Sequence, residues 1–163
     1  MKTGHFRIFK IEQLLTGTEK KLLIPPLYET RYQIGLILGC NKPTCTEKIL
    51  GIRKNALLFA TPETTYNWKQ LFDPQSGYFC AFSHDFLIRS GSSLSLDDLP
   101  IFNAGKFPVF FISDMEVEAI LLIVKKIYDD LSSDYVFKYE LLRNYVLELI
   151  HCGQKLLLTN TLP

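Results

Sequence analysis

The apolar positions of this chain change period about two thirds of the way along. Up to residue 112 they fall in short runs separated by turn-forming residues. In Tyr32–Leu38, Ile34, Leu36 and Leu38 lie on one face and Gln33, Gly35 and Ile37 on the other, the two-residue alternation of a β-strand. Residues 56–60, 66–71 and 78–82 read as further strands, and 107–112 as another. Gly, Asn and Pro gather in 39–46; Thr61-Pro62-Glu63-Thr64 and Asp73-Pro74-Gln75-Ser76-Gly77 turn the chain between later strands. Near the start, Phe6 and Ile8 are followed by Phe9 and Ile11, a skipped beat that predicts one strand over 6–14 broken by a bulge. A polar loop at 90–95 and a helical turn at 96–99 precede the last strand. Several short strands at this spacing predict a sandwich or a barrel.

From residue 113 the period becomes helical. Ser113-Asp114-Met115-Glu116 has the form of a capping box, in which Ser113 bonds the amide three residues on and Glu116 reaches back. Behind it Ile120, Ile123, Val124, Ile127 and Leu131 recur at three and four, the apolar stripe of an amphipathic helix. Ser132-Ser133-Asp134 breaks the pattern. A second helix is predicted over 135–155, with Leu142, Tyr145, Val146, Leu149 and Ile150 as its stripe. So short a connection makes the two helices an antiparallel hairpin. Tyr135, Val136, Phe137, Tyr139 and Leu141 extend the second helix's apolar surface beyond one face, which predicts burial on two sides and a homodimer contact. Leu142, Tyr145, Val146 and Leu149 are the candidate dimerisation residues.

Composition narrows the function classes. With 163 residues, 47% of them hydrophobic, the chain has enough apolar side chain for one packed domain. A net charge of +1 provides no basic field for nucleic acid. The apolar stretch 119–124 is far short of a membrane span, and the charged opening is no secretory signal, so a cytoplasmic protein without membrane contact is expected. Cys40, Cys45, Cys80 and Cys152 form no C-x-x-C pair and read as free thiols, although Cys40 and Cys45 are near enough in sequence for a disulfide.

Catalytic signatures are missing from the sequence. His5, His84 and His151 are far apart and lack metal-ligand spacing, and there is no G-x-S-x-G elbow or phosphate-cradling glycine loop. Cys80 and His84 are neighbours, but Cys80 lies in an apolar strand that would hold its thiol protonated. No catalysis, metal or cofactor is expected. What stands out is aromatic density on the strands. Tyr66 and Trp68 share one face of their strand, Tyr78 opens another, and Arg31 stands just ahead of a third. Ordinary core packing is the common use of such aromatics. On a concave face they would instead line a small-ligand pocket, with Arg31 available to a carboxylate or a sugar hydroxyl.

Thr30-Arg31-Tyr32-Gln33-Ile34-Gly35-Leu36-Ile37, Asn55-Ala56-Leu57-Leu58-Phe59-Ala60-Thr61-Pro62, Tyr66-Asn67-Trp68, Ser76-Gly77-Tyr78-Phe79-Cys80-Ala81-Phe82 and Asp85-Phe86-Leu87 follow one another in an order that resembles the N-terminal regulatory domain of AraC-type transcription regulators. Pro100-Ile101-Phe102, Pro108-Val109-Phe110-Phe111 and Tyr139-Glu140-Leu141-Leu142-Arg143-Asn144-Tyr145 extend the likeness, so that it covers about 6–151. The resemblance implies a mainly β fold with α: a cupin-like β-barrel of the double-stranded β-helix type at 1–112, then a dimerising antiparallel helical hairpin at 113–155. It also implies a small-molecule effector, a sugar among the candidates, and DNA contact only through a C-terminal helix-turn-helix domain that this chain does not contain. Residues 156–163 would then begin the linker to it or form a tail. Tyr66 stands where many relatives have a metal-binding histidine after the Pro-containing turn, a departure that counts against a metal. Arg31, Tyr66, Trp68 and Tyr78 are candidate ligand residues by face and chemistry, not by transfer from the family. A metal-dependent cupin enzyme and a stand-alone ligand-binding cupin are the alternatives.

Overall fold

Alternating apolar residues form strands where both faces find cover, and the longest such run is the middle of the sheet. A computed structural model of the chain describes residues 4–16, 21–22, 31–39, 55–62, 76–88, 95–103 and 109–161. Its elements are β1 (Phe6–Lys10), a helical turn α1 (Ile11–Leu14), β2 (Leu15–Thr16), β3 (Lys21–Leu22), β4 (Tyr32–Leu38), β5 (Ala56–Ala60), β6 (Ser76–Phe82) and α2 (His84–Leu87). Two 3₁₀ turns, Leu96–Asp98 and Pro100–Phe102, lead to β7 (Val109–Phe111), and α3 (Asp114–Leu131) and α4 (Lys138–Thr161) follow.

Five strands make one antiparallel sheet in the order β1-β6-β4-β5-β7, and β2 pairs with β3. The fold is therefore mixed α and β. Among the described residues the sheet is open, with β1 and β7 as its edges. Strand β5 is buried along its whole length and β4 along all but its last residue, so the centre of the sheet is shielded on both faces. On one face Ile34, Leu36, Leu57, Phe59, Cys80 and Phe82 join Ile120, Ile123, Val124 and Ile127 of α3 and Leu142, Val146, Leu149 and Ile150 of α4 in a single core. Each such aliphatic or phenyl side chain contributes about 1.5–3 kcal/mol by leaving water.

Local chemistry fixes the joints. Ser113 Oγ accepts the Glu116 N–H at 3.2 Å and Glu116 Oε1 accepts the Ser113 N–H at 2.9 Å, so the capping box read from the sequence starts α3 where expected. At the other end Ser132 Oγ donates to the Tyr128 carbonyl at 3.2 Å and Ser133 Oγ to the Asp130 carbonyl at 2.8 Å. Lys138 Nζ donates to the Leu131 and Ser133 carbonyls at 3.2 and 3.1 Å. The carbonyls that end α3 thus acquire partners, and a cation sits at its negative pole. Gly77 has a φ of +139°, and a Cβ there would collide with the Leu36 carbonyl, so glycine is required. Its N–H donates to Glu12 Oε1 at 2.9 Å, which ties α1 to β6.

Several elements differ from the sequence pattern. The strand expected over 6–14 ends at Lys10, because Ile11 turns fully inward and opens a helical turn. The strand at 107–112 is described only as Val109–Phe111. The 66–71 strand lies outside the described residues, as do Cys40 and Cys45. Helix α4 starts at Lys138, after the turn that caps α3, and runs to Thr161, so residues 156–161 continue the helix beyond the expected end at 155.

The dimerisation residues need correction. Leu142 and Val146 are 0% exposed and Leu149 2%, all in the chain's own core between helix and sheet. Tyr145 is half-buried, with the Lys126 ammonium 5.9 Å from its ring centre. A second copy cannot reach that stripe without unfolding the first, so the stripe is intramolecular. The additional apolar residues Tyr135, Val136, Phe137 and Tyr139 are exposed.

Helix α4 rests directly on Phe59: a Cβ at Gly153 would collide with the Phe59 ring. In an exposed helix Gly→Ala stabilises by about 1 kcal/mol; overpacking a core costs about 1–3 kcal/mol. Gly153→Ala is therefore expected to lower stability to urea, and a gain would show that α4 does not rest on Phe59.

Candidate functional site

The face of the sheet turned away from α3 and α4 carries the buried polar chemistry. Gln33 on β4 is 2% exposed and lies in register with Ala60 of β5 on one side and Ala81 of β6 on the other. Two methyl side chains therefore flank a carboxamide that both donates and accepts. The next row is Phe79, Gly35 and Leu58, and the one beyond it is Gly77, Ile37 and Ala56. Arg31, half-buried, lies in the bend just ahead of β4. Thr61, buried, follows Ala60 directly. Arg7 on β1 stands opposite Ala81 and is exposed. Arg7 and Gln33 thus share one side of an otherwise apolar sheet, with Arg31 and Thr61 at the strand ends beside them. Such a set suits hydroxyl and carboxylate oxygens of a small molecule.

Tyr32 anchors this end from the opposite face. Its ring stacks on Phe82 at 5.9 Å and meets Phe102 edge-on at 5.1 Å, while its hydroxyl donates to Asp97 Oδ1 at 2.6 Å. The Leu96–Asp98 turn is held to the sheet by that bond, and its own capping box at Ser95 fixes the turn. On the same side Arg143 Nε donates to the Phe86 carbonyl at 2.7 Å, which joins α4 to α2.

Of the four ligand residues read from the sequence, the structure separates two. Tyr78 sits opposite Leu36 on the helix-covered face, its ring edge-on to Tyr128 at 5.9 Å. Arg31 lies just ahead of Tyr32, at the opposite end of β4 from Leu36, so these two do not share a site. Tyr66 and Trp68 lie outside the described residues. Sequence reasoning missed Gln33. The signal was available: it is the one amide in a strand whose other side chains are apolar or absent.

Tyr78 lines a small cavity between sheet and hairpin, with Ile34, Leu36, Cys80, Ile120 and Val124 among its walls. At about 10 Å³ it has room for a single water, and apolar walls of this kind stay dry. The Tyr128 hydroxyl beside Tyr78 is buried with no hydrogen-bond partner. Burial above all, then the charges of Tyr78, Glu12 and Cys80, push its pKa up to about 12.

Cys80 shows why a nucleophile reading fails here. Its thiol is buried on the helix-covered face, and burial pushes its pKa up to about 12 despite a backbone hydrogen bond with Ile34. His84 is partly exposed and its nearest charged neighbour is Asp85, at 3.9 Å. Among the described residues no group of three or more His, Cys, Asp or Glu side chains is placed to hold a metal ion, and no helix is long and apolar enough to cross a membrane. Comparison with family models, curated proteins and solved structures returns no match to this chain.

A thiol held above its ordinary value of 9.0 favours the folded state only while it is protonated. Its contribution is complete below pH 9 and is lost as pH rises toward about 12. Stability measured by urea unfolding is expected to fall across that window, and less steeply in Cys80→Ala; identical slopes would show that Cys80 titrates in the folded state as it does in water.

Proposed function

We propose that this chain is the small-molecule-sensing and dimerisation domain of an AraC-like transcription regulator of the cytoplasm, with its antiparallel sheet forming part of a cupin-like barrel. The observation that carries the reading is how β4 is used. Its alternate residues Gln33, Gly35 and Ile37 face away from the helices, while Ile34 and Leu36 pack under the helical hairpin. A ligand seated on the polar side and the helices on the other share one wall, about one strand thick.

That arrangement supports a population shift. The interior is densely packed, and a displaced strand in such an interior moves its neighbours instead of deforming alone. An effector that binds more tightly when β4 lies in one position would favour the matching hairpin position. It would thereby change the spacing of helix-turn-helix domains carried beyond the hairpin. Equal affinity for both positions would switch nothing. The effector's chemistry follows from the donors: an oxygen-rich molecule, a sugar or a small carboxylate.

Screening sugars and carboxylates by thermal shift tests the reading. A true effector at a hundred times its Kd raises folded-state stability by about 2.7 kcal/mol, and the rise saturates. Gln33→Leu, close to isosteric, is expected to keep the fold and weaken that ligand at least about tenfold, the loss of one or two hydrogen bonds. A ligand that stabilises the variant as strongly as the parent would place the site elsewhere.

A further inference from the structure

An antiparallel strand bonds its neighbour through alternate residues, so an edge strand turns every second peptide group outward. Strand β1 is such an edge. The Ser83 N–H donates to the His5 carbonyl at 2.9 Å, and the same register sets Arg7 opposite Ala81 and Phe9 opposite Phe79. Arg7 and Phe9 therefore direct their peptide groups at β6, while Phe6, Ile8 and Lys10 turn theirs to the open side. Phe6 is buried at one end of the strand; Ile8 is half-buried and Lys10 exposed. Among the described residues nothing pairs with that side, and β1 has neither a proline nor a bulge to blunt it.

One flank of α3 lies along this edge. The flank toward α4 is marked by Lys126, whose ammonium is 5.9 Å from the Tyr145 ring centre. The other flank carries Leu121, Lys125 and Tyr128, spaced at four and three. Tyr128 meets β1 itself, with the Lys10 ammonium 6.0 Å from its ring centre. Ile8, Leu121 and Tyr128 are half-buried and form an apolar ledge beside the outward peptide groups. The Tyr128 hydroxyl has no hydrogen-bond partner there. Lys10 and Lys125 are both exposed, and among the described residues neither meets a carboxylate. Glu12, whose charge also reaches Tyr128, is engaged with the Gly77 N–H at 2.9 Å.

We propose that the open edge of β1 receives an extended acidic segment of a partner protein, which joins the sheet as a further strand. The N–H and C=O of Ile8 and the N–H of Lys10 bond its backbone. An apolar residue of the segment lies beside Ile8 on the ledge of Leu121 and Tyr128. Two residues along, on the same face, its carboxylate stands between Lys10 and Lys125. In strand addition the main-chain bonds supply affinity and the alternate side chains supply selectivity. A helical partner bonds its own peptide groups internally and leaves those of Ile8 unmet. A second copy offering the same strand brings Arg7 and Lys10 and no carboxylate, so like charges oppose it. The site is separate from Gln33 and does not rest on the effector reading: a failed ligand screen leaves it standing.

Amide hydrogen exchange by nuclear magnetic resonance tests it on the whole chain. The probe is a synthetic peptide of alternating threonine and valine, with a glutamate two residues after its central valine. With millimolar probe the Ile8 and Lys10 amides are expected to become protected, while those of Arg7 and Phe9, already bonded to β6, stay as they were. Lys10→Glu, a change at an exposed site, is expected to weaken the probe about fivefold to tenfold and to favour a probe carrying lysine in place of glutamate. Ile8→Pro removes an outward N–H and leaves the β6 bonds in place; it is expected to weaken the probe at least about fivefold. Ile8 and Lys10 amides that stay unprotected at millimolar probe would overturn the proposal. So would a lysine probe that binds the parent as well as the glutamate one, or protection that grows with protein concentration alone, which would assign the edge to a second copy.

Discussion

Strand β4 is the constraint on which the rest of the structure depends. It pairs with β5 and β6, and six of its seven residues are buried, so both of its faces must be matched by packing. A strand in that position cannot slip by one residue without exchanging its two faces. Such a slip would drive Gln33 into the aliphatic core under the helices and bring Ile34 and Leu36 to the polar side. Unpaired burial of the amide costs on the order of 1–3 kcal/mol, and the loss of two aliphatic contacts adds to it. The register is thus fixed by chemistry on both faces at once, and the helices inherit their seat from it.

The hairpin shows how a helix pair is made to fit one sheet. Gly153 lets α4 descend onto Phe59, and Arg143 ties the same helix to the end of α2. The stripe of α3 supplies the remaining cover, and its capping box sets where that stripe begins. The cavity beneath the helices lined by Ile34, Leu36, Tyr78 and Ile120 admits one water.

The sequence made some of this legible and concealed the rest for physical reasons. Strands β4 and β5 and the cap of α3 were readable because local pattern and tertiary burial agree there. The end of β1 was not, since Ile11 is apolar whether it continues the strand or turns inward to begin a helical turn. The α4 stripe was readable as apolar but not as to its partner; periodicity reports that a face is buried, not whether its own chain or another one buries it. Gln33 was visible as an alternating residue, yet its flanking by Ala60 and Ala81 depends on strand order, which no local pattern encodes.

The claim that one strand couples the polar face to the hairpin is tested most directly by the side-chain amide signals of Gln33 in nuclear magnetic resonance. Ile120→Val trims a single methyl group from α3 beneath the sheet and touches nothing on the Gln33 side. The account predicts that the Gln33 amide resonances move, together with those of residues along β4. Perturbations that stop at Ile34, Leu36 and the helices, with Gln33 unmoved, would contradict it.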